Sequence, residues 1–187
     1  MAIVIKSQRE IQFMREAGRI VAETLEVLAK HVRPGVATAH LDSVAHREIT
    51  SRGAIPSFKG YRGYPASLCV SVNDEVVHGI PGKRVLQEGD IVSLDTGAIY
   101  KGYQGDAAIT IGVGEVSPQA QELIETTEGA LRAGIAAAKP GARLSDVSHA
   151  IQSYVESRGL SVVREYVGHG IGQAMHEEPQ VPNFGPP

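Results

Sequence analysis

The sequence predicts an α/β fold of the α+β type, in which two helices followed by an antiparallel sheet occur twice along the chain. Apolar residues recur at helical spacing in four segments, and short apolar runs separated by Gly and Pro lie between positions 54 and 113. In addition, positions 106 residues apart correspond to each other across the helical segments, which indicates an internal repeat. These patterns predict a single domain over residues 1–187.

The composition excludes several classes of protein. The formal net charge of the 187 residues is −3, and Lys and Arg are scattered, so no basic patch for nucleic acid or anionic lipid is indicated. Cys69 is the only cysteine, which excludes a disulfide scaffold and a Cys-rich zinc site. No apolar run reaches the roughly 20 residues of a membrane span, and the N-terminus lacks the layout of a signal peptide. We therefore expect a soluble intracellular protein.

The first half opens with two predicted helices. Ser7 and Glu10 form a capping-box pattern at the start of a helix over 8–31, whose apolar residues recur every three or four positions. A second helix covers about 39–52. The β-type runs that follow are bounded by Gly and Pro and predict antiparallel strands. These runs are 68–72, 75–78, 90–96 and 107–113.

The helical segments of the second half are predicted at about 118–138, where Ser117-Pro118 has the pattern of a helix start, and at about 145–158. Their ends match those of the first half: Pro34-Gly35 corresponds to Pro140-Gly141, and both second helices end in Ser-Arg-Gly. Five of the twenty positions from 34 to 53 are identical to their counterparts, where average residue usage gives about one. We interpret this as an internal duplication; the alternative is two unrelated helix hairpins.

The duplication predicts where each half lies. The first half covers about 8–113, and the second half starts at about 114. A second copy of equal length would end near position 219, about 32 residues after position 187. We therefore expect an incomplete second half.

Two aspartates mark a candidate metal site in the predicted sheet. A hairpin centred between Tyr100 and Lys101 would place Asp95 and Asp106 directly opposite each other, where like charges destabilise a sheet. Two interpretations are open: either the carboxylates face solvent or are shifted in register, or a multivalent cation lies between them. Carboxylate oxygens suit Mg, Mn, Fe(II) or Co(II).

Three histidines lie in loops or at strand ends. Glycines at 168, 170 and 172 frame His169, and such glycines let backbone or a ligand approach closely. His176 follows seven residues later, and His78 ends a predicted strand. We expect the remaining four on solvated helix faces: His31, His40, His46 and His149. The chain has no Gly-x-Ser-x-Gly, phosphate-loop or His-Glu-x-x-His motif.

Taken together, a series of motifs resembles type I methionine aminopeptidases across essentially the whole chain. The motifs are Gly60-Tyr61-Arg62-Gly63-Tyr64-Pro65, 69–73, 77–81, 89–95, Gly105-Asp106, 168–172 and 176–181. The resemblance implies the pita-bread (creatinase/aminopeptidase) fold, whose two halves are related by pseudo-twofold symmetry. This expectation agrees with the internal repeat.

The resemblance also implies a metal site. It would hold two divalent ions (Co, Mn, Fe(II), Zn or Ni), with Asp95 bridging toward one ion, Asp106 ligating both and His169 ligating the other. Two ions about 3.5–4 Å apart lower the pKa of a water molecule between them and clamp the attacking and carbonyl oxygens. The family's site needs two further glutamates, which would lie beyond position 187.

By the same resemblance, His78 and His176 are catalytic and substrate-binding residues. His176 would donate a hydrogen bond to the peptide carbonyl oxygen, an interaction of the oxyanion-hole type. The remaining substrate-binding residues resemble the pocket for a methionine side chain, to which aromatic and sulfur groups are suited, with an ordinary core role as the alternative. They are Tyr61, Tyr64, Cys69 and Met175.

The implied function is removal of the initiator methionine from nascent cytoplasmic polypeptides whose second residue is small. The resemblance implies no nucleic-acid or membrane partner, and it leaves contact with the ribosome open. Because two metal-binding glutamates are expected beyond the chain, the alternative is a truncated, catalytically silent fragment that acts in metal or partner binding. A proline-specific relative on the same fold fits the motifs between 61 and 81 less well.

Overall fold

Helices and strands follow one another in the predicted order in a computed structural model that describes residues 3–187. Two helices precede a sheet, and two more helices precede a short strand pair, as the internal repeat predicts. The helices are α1 (Gln8–His31), α2 (Thr38–Ser51), α3 (Pro118–Ala137) and α4 (Leu144–Glu156). The strands are β1 (Ile55–Pro56), β2 (Leu68–Val72), β3 (Ile91–Tyr100), β4 (Tyr103–Gly112), β5 (Gly168–Gly170) and β6 (Glu177–Val181).

Helix α1 begins at the predicted capping box. The Ser7 side chain accepts a hydrogen bond from the Glu10 backbone N–H, and the Glu10 carboxylate accepts one from the Ser7 N–H at 2.6 Å. These bonds satisfy two backbone donors that a helix start leaves without intrahelical partners. The stripe that α1 buries consists of Ala17, Ile20, Val21, Thr24, Leu25 and Leu28.

Strand β3 is the central strand of an antiparallel sheet, with β4 on one side and β1 and β2 on the other. Every second residue of β2 and β3 points to a buried apolar face, because side chains alternate along a strand. That face forms one core cluster with α1 and α2; its strand residues are Leu68, Val70, Val72, Val92, Leu94 and Ala98. The opposite face carries polar side chains.

The β3–β4 hairpin turns one residue later than the sequence predicted, which shifts the pairing of the two strands by two residues. Tyr100 pairs with Tyr103, so the turn residues are Lys101 and Gly102, both with positive φ (48° and 83°). Positive φ at both central residues is typical of the type I′ turns that join strands in two-residue hairpins. The expected pairing of Asp95 with Asp106 is therefore wrong: Asp95 pairs with Ala108, and Asp106 with Gly97.

The expected strand over 75–78 is also wrong, since these residues form an exposed loop. Asn73 and His78 both have a φ of 60°, a left-handed conformation that interrupts an extended strand. Beyond the loop, Gly79 lies against the edge of β2, where its carbonyl oxygen accepts from the Val70 N–H at 2.9 Å. A Cβ at Gly79 would collide with the Val70 carbonyl, so this approach requires glycine.

The chain divides into two compact units. One consists of Ile5–Ser117 and Ile171–Met175; the other consists mainly of Pro118–Gly170 and His176–Pro187. In the second unit α3 packs on α4, where Gly129 leaves room for the Tyr154 ring. The single domain predicted over 1–187 stays a prediction. Within residues 3–187, the helices are too short or too polar for a transmembrane segment.

Gly105→Ala should destabilise the protein by about 1–3 kcal/mol, as overpacking in a core typically does. A Cβ at Gly105 of β4 would lie 2.6 Å from the backbone nitrogen of Gly18 in α1, and backbone cannot move aside as a flexible side chain can. Urea denaturation measures the change. Gly82→Ala is the matched control, because a Cβ at Gly82 meets nothing within 4 Å. Equal stability of the two variants would contradict the close helix–sheet contact.

Candidate metal and substrate site

Asp95 and Asp106 lie on the polar face of the sheet as diagonal neighbours. Asp95 pairs with Ala108, two positions from Asp106, so the two carboxylates project from the same side of adjacent strands. A hydrogen bond joins them. The register shift that the sequence left open is observed, and the two carboxylates still lie within hydrogen-bonding distance; a cation between them stays a prediction.

Partial burial of two close carboxylates makes this pair unusual. Desolvation raises the pKa of Asp95 well above its ordinary value, and the negative charge and hydrogen bond of Asp106 raise it further. The pair therefore retains a proton at pH values where isolated carboxyl groups are ionised. A divalent cation could take the place of this proton, and two close carboxylates are a donor set that hard divalent ions prefer.

Cys69 and Tyr64 lie beside this pair. Cys69 is the partner of Asp95 in the neighbouring strand β2, and its thiol shares a hydrogen bond with the Tyr64 hydroxyl. Burial raises the pKa of Cys69 to about 11, so the thiol is protonated at neutral pH and is a poor nucleophile. Burial also raises the pKa of Tyr64. A neutral thiol and a neutral phenol suit a wall that contacts an uncharged side chain.

The Tyr64 hydroxyl also joins two backbone segments. It lies 3.1 Å from the Leu68 carbonyl oxygen and 3.0 Å from the Gly79 carbonyl oxygen. The second contact fixes Gly79, the residue that follows His78. His78 itself is exposed and has a left-handed backbone conformation. Non-glycine residues in such conformations are concentrated at functional sites. Tyr64 therefore anchors the loop that carries His78.

Phe58 lies beside Tyr64, a contact that was not predicted from the sequence. Its ring packs edge-on against Tyr64, with ring centres 6.5 Å apart and planes inclined by 87°. It also lies over Gly97, the residue opposite Asp106, where a Cβ would come within 3.1 Å of the ring. Its position two residues before the Gly60–Pro65 motif was the one feature of the sequence that could have indicated it. Tyr61 is half-buried on the short turn that follows, with the Arg62 guanidinium 5.4 Å from its ring centre.

Met175 is buried in the same unit as the carboxylate pair. The segment that carries it, Ile171–Met175, is bound to β4 through Gln104: the Gln104 N–H donates to the Gly172 carbonyl at 2.8 Å, and its side-chain amide donates to the Gln173 carbonyl at 3.0 Å. Gln104 is two residues from Asp106. The same strand therefore carries a carboxylate and anchors the Met175 segment.

His169 and His176 form a pair in the other unit. Their ring centres are 4.3 Å apart, and the rings are inclined by 46°. His169 Nδ1 lies 2.9 Å from the Gly170 carbonyl oxygen, which can only accept, so Nδ1 carries the proton and Nε2 the lone pair. This is the tautomer that metal-binding histidines commonly adopt. Within residues 3–187, no three His, Cys, Asp or Glu side chains are assembled as a ready-made metal site.

Comparison with known proteins gives consistent matches. A model of metallopeptidase family M24 matches residues 12–187. Methionine aminopeptidase 1 of Bacillus subtilis is 59% identical over 185 residues, which cover 99% of this chain and 75% of the relative. A Clostridium acetobutylicum methionine aminopeptidase is 58% identical, with 99% and 74% covered.

Solved structures agree with these matches. A methionine aminopeptidase of Thermotoga maritima superposes with a TM-score of 0.98 at 48% identity, covering 100% of this chain and 75% of that protein. A prolidase of Pyrococcus furiosus gives a TM-score of 0.85 at 23% identity, covering 97% of this chain and 52% of its own. The second likeness concerns the fold alone.

The metal-free protein should become less stable as pH rises, and Asp95→Asn should abolish this pH dependence. The folded-state pKa of Asp95 lies above the ordinary value of 3.8. Protonated Asp95 therefore contributes fully to the free energy of unfolding below pH 3.8, and this contribution is lost as pH rises through the raised pKa. Asn cannot ionise, so the variant should be at least as stable as the parent protein at neutral pH and should gain no stability from Mn²⁺.

Urea denaturation between pH 4 and 8, with and without Mn²⁺, measures both effects. Asp74→Asn, at an exposed loop position, is the control. If the Asp95→Asn curve followed the parent curve across this range, the buried pair would not be the source of the pH dependence.

Proposed function

Because the chain belongs to metallopeptidase family M24, we propose that it removes the N-terminal methionine of polypeptides whose second residue is small. It is a metal-dependent hydrolase on the pita-bread fold, as the resemblance of its motifs implied. The single observation that carries the proposal is the partly buried, hydrogen-bonded pair Asp95 and Asp106 on the polar face of the sheet. Since nascent chains are the substrates implied, we place the reaction in the cytoplasm.

We propose that Asp95, Asp106 and His169 are ligands for two divalent ions. The two aspartates offer adjacent carboxylate oxygens, and His169 offers an imidazole ring whose Nδ1 is oriented by the Gly170 carbonyl oxygen. Bound ions would supply Lewis acidity and an activated water for attack on the first peptide bond. The identity of the ions, among Co, Mn, Fe(II), Zn and Ni, is left to experiment.

His176 and His78 are proposed as the residues that touch the substrate at the scissile bond. His176 is exposed and lies beside His169, and an imidazole N–H at this position could donate to the carbonyl oxygen as negative charge develops there. His78 is exposed in a loop that the Tyr64 hydroxyl and the Ser71 side chain hold through Gly79. The fixed loop would limit the positions available to a bound peptide.

The methionine pocket is proposed around Tyr64, Cys69, Tyr61 and Met175, with Phe58 added from the structure. These side chains are aromatic or sulfur-bearing, and sulfur–aromatic contacts favour a thioether. The thiol of Cys69 and the phenol of Tyr64 stay neutral at physiological pH, so the wall presents no charge. A cationic side chain would lose its hydration against these neutral groups.

Asp106→Ala should reduce metal-dependent release of methionine from a Met-Ala-Ser peptide to background, because it removes a ligand proposed for both ions. The purified 187-residue protein, supplied with Mn²⁺ or Co²⁺, is compared with the variant by quantifying free methionine. Helix content by circular dichroism should be unchanged. Asp74→Ala should release methionine like the parent protein.

The outcomes separate the alternatives. Full turnover in Asp106→Ala would contradict the proposal that this carboxylate is a metal ligand. No release from the parent protein would contradict the proposed activity and favour the silent fragment that acts only in metal or partner binding.

The proposed pocket also predicts specificity. Met-Ala-Ser should be cleaved at least tenfold faster, in kcat/KM, than Leu-Ala-Ser, and Lys-Ala-Ser should not be cleaved measurably. Loss of one group in an apolar pocket typically costs about 10–200-fold, and a buried unpaired charge costs more. Equal rates for the three peptides would contradict the pocket while leaving the metal site untouched.

A further inference from the structure

A second histidine pair lies where α1 and α2 meet, and its chemistry is separate from that of the carboxylates. We propose that His31 and His40 together bind one divalent transition-metal ion, at a site independent of the proposed catalytic residues. His31 is the last residue of α1, and His40 lies in the first turn of α2.

The separation of the two rings suits a shared ion. Their centres are 5.8 Å apart, and the planes are inclined by 46°. A ligating nitrogen lies about 2.1 Å from Zn²⁺ and the ring centre roughly 1 Å farther, so two rings on one ion have centres at most about 6 Å apart. His40 is exposed, and its side chain can rotate to complete the geometry.

The orientation of His31 is fixed by a backbone contact. Its Nδ1 lies 2.9 Å from the Val27 carbonyl oxygen one turn earlier in α1. A carbonyl oxygen can only accept, so Nδ1 donates and the lone pair is on Nε2. An imidazole that donates its second N–H to a backbone carbonyl is the usual arrangement of a metal-binding histidine.

Backbone hydrogen bonds hold the connection between α1 and α2 in place. The Gly35 N–H donates to the Leu86 carbonyl at 2.8 Å, the Thr38 N–H donates to the Arg84 carbonyl at 2.8 Å, and the Ala39 N–H donates to the Gly82 carbonyl at 3.0 Å. These bonds fix the backbone positions of His31 and His40 before any ion binds. Preorganisation of this kind lowers the entropic cost of chelation.

The donor set selects the class of ion. Two neutral imidazoles, with water completing the coordination, suit Zn²⁺, Ni²⁺ and Cu²⁺, whereas Mg²⁺ and Ca²⁺ prefer oxygen ligands. An excess of Zn²⁺ or Ni²⁺ would therefore occupy the helix junction as well as the catalytic site. Metal stoichiometry measured under those conditions would count one ion with no part in peptide cleavage.

The test follows the imidazole rings directly. In metal-free, ¹⁵N-labelled Asp106→Asn/His169→Asn protein, which lacks two of the proposed catalytic ligands, Zn²⁺ is added and the histidine ring nitrogens are observed by NMR. The ring signals of His31 and His40 should shift together and saturate at the same Zn²⁺ addition. In equilibrium dialysis, adding His40→Gln to this Asp106→Asn/His169→Asn parent should lower its Ni²⁺ affinity at least tenfold, whereas adding His149→Gln should leave the affinity unchanged.

Any of three results would overturn the proposal: no shift of these signals, a shift of only one of them, or equal Ni²⁺ affinity of His40→Gln and its parent. His40 is exposed, so Gln is tolerated, and circular dichroism checks the fold. Methionine release by His31→Gln/His40→Gln should equal that of the parent protein. Because the NMR readout needs no activity, failure of the proposed aminopeptidase function would leave this test valid.

Discussion

The register of the β3–β4 hairpin is the constraint on which the rest of the candidate site depends. The two-residue turn at Lys101 and Gly102 pairs Tyr100 with Tyr103, and this pairing sets which residues of β4 share a face with Asp95. A slip of one residue would move Asp106 to the opposite, apolar face, because side chains alternate along a strand. With the observed register, Asp95 and Asp106 form one hydrogen-bonded pair on the polar face.

The sheet separates two kinds of chemistry. Its apolar face packs on α1 and α2, with Val92 and Leu94 of β3 fully buried among helix side chains. The other face carries two partly buried carboxylates close together, an arrangement that destabilises the folded protein unless a proton or a cation neutralises it. Packing in the core therefore offsets the unfavourable free energy of holding these carboxylates close together, as is common where a protein holds strained or charged groups for function.

Much of the fold could be predicted from the sequence, because strong local signals agree with it. The capping box and apolar periodicity gave the observed limits of α1, and the run of five apolar and small residues in β2 gave that strand. The hairpin register was missed because the turn requires positive φ at Lys101, which residue type alone does not indicate. The strand expected at 75–78 failed for the same reason at Asn73 and His78. Phe58 was missed because it lies two residues outside the Gly60–Pro65 motif, and its position in the sequence does not show that its ring packs against Tyr64.

The proposed chemistry requires that the carboxylate pair binds a divalent cation. Anomalous diffraction from crystals of the 187-residue protein soaked with Mn²⁺ tests this binding. We expect an anomalous peak within about 2.2 Å of carboxylate oxygens from both Asp95 and Asp106, a distance typical of small divalent ions bound by oxygen. Well-ordered carboxylates with no anomalous peak between them, at Mn²⁺ concentrations that saturate binding in solution, would contradict it.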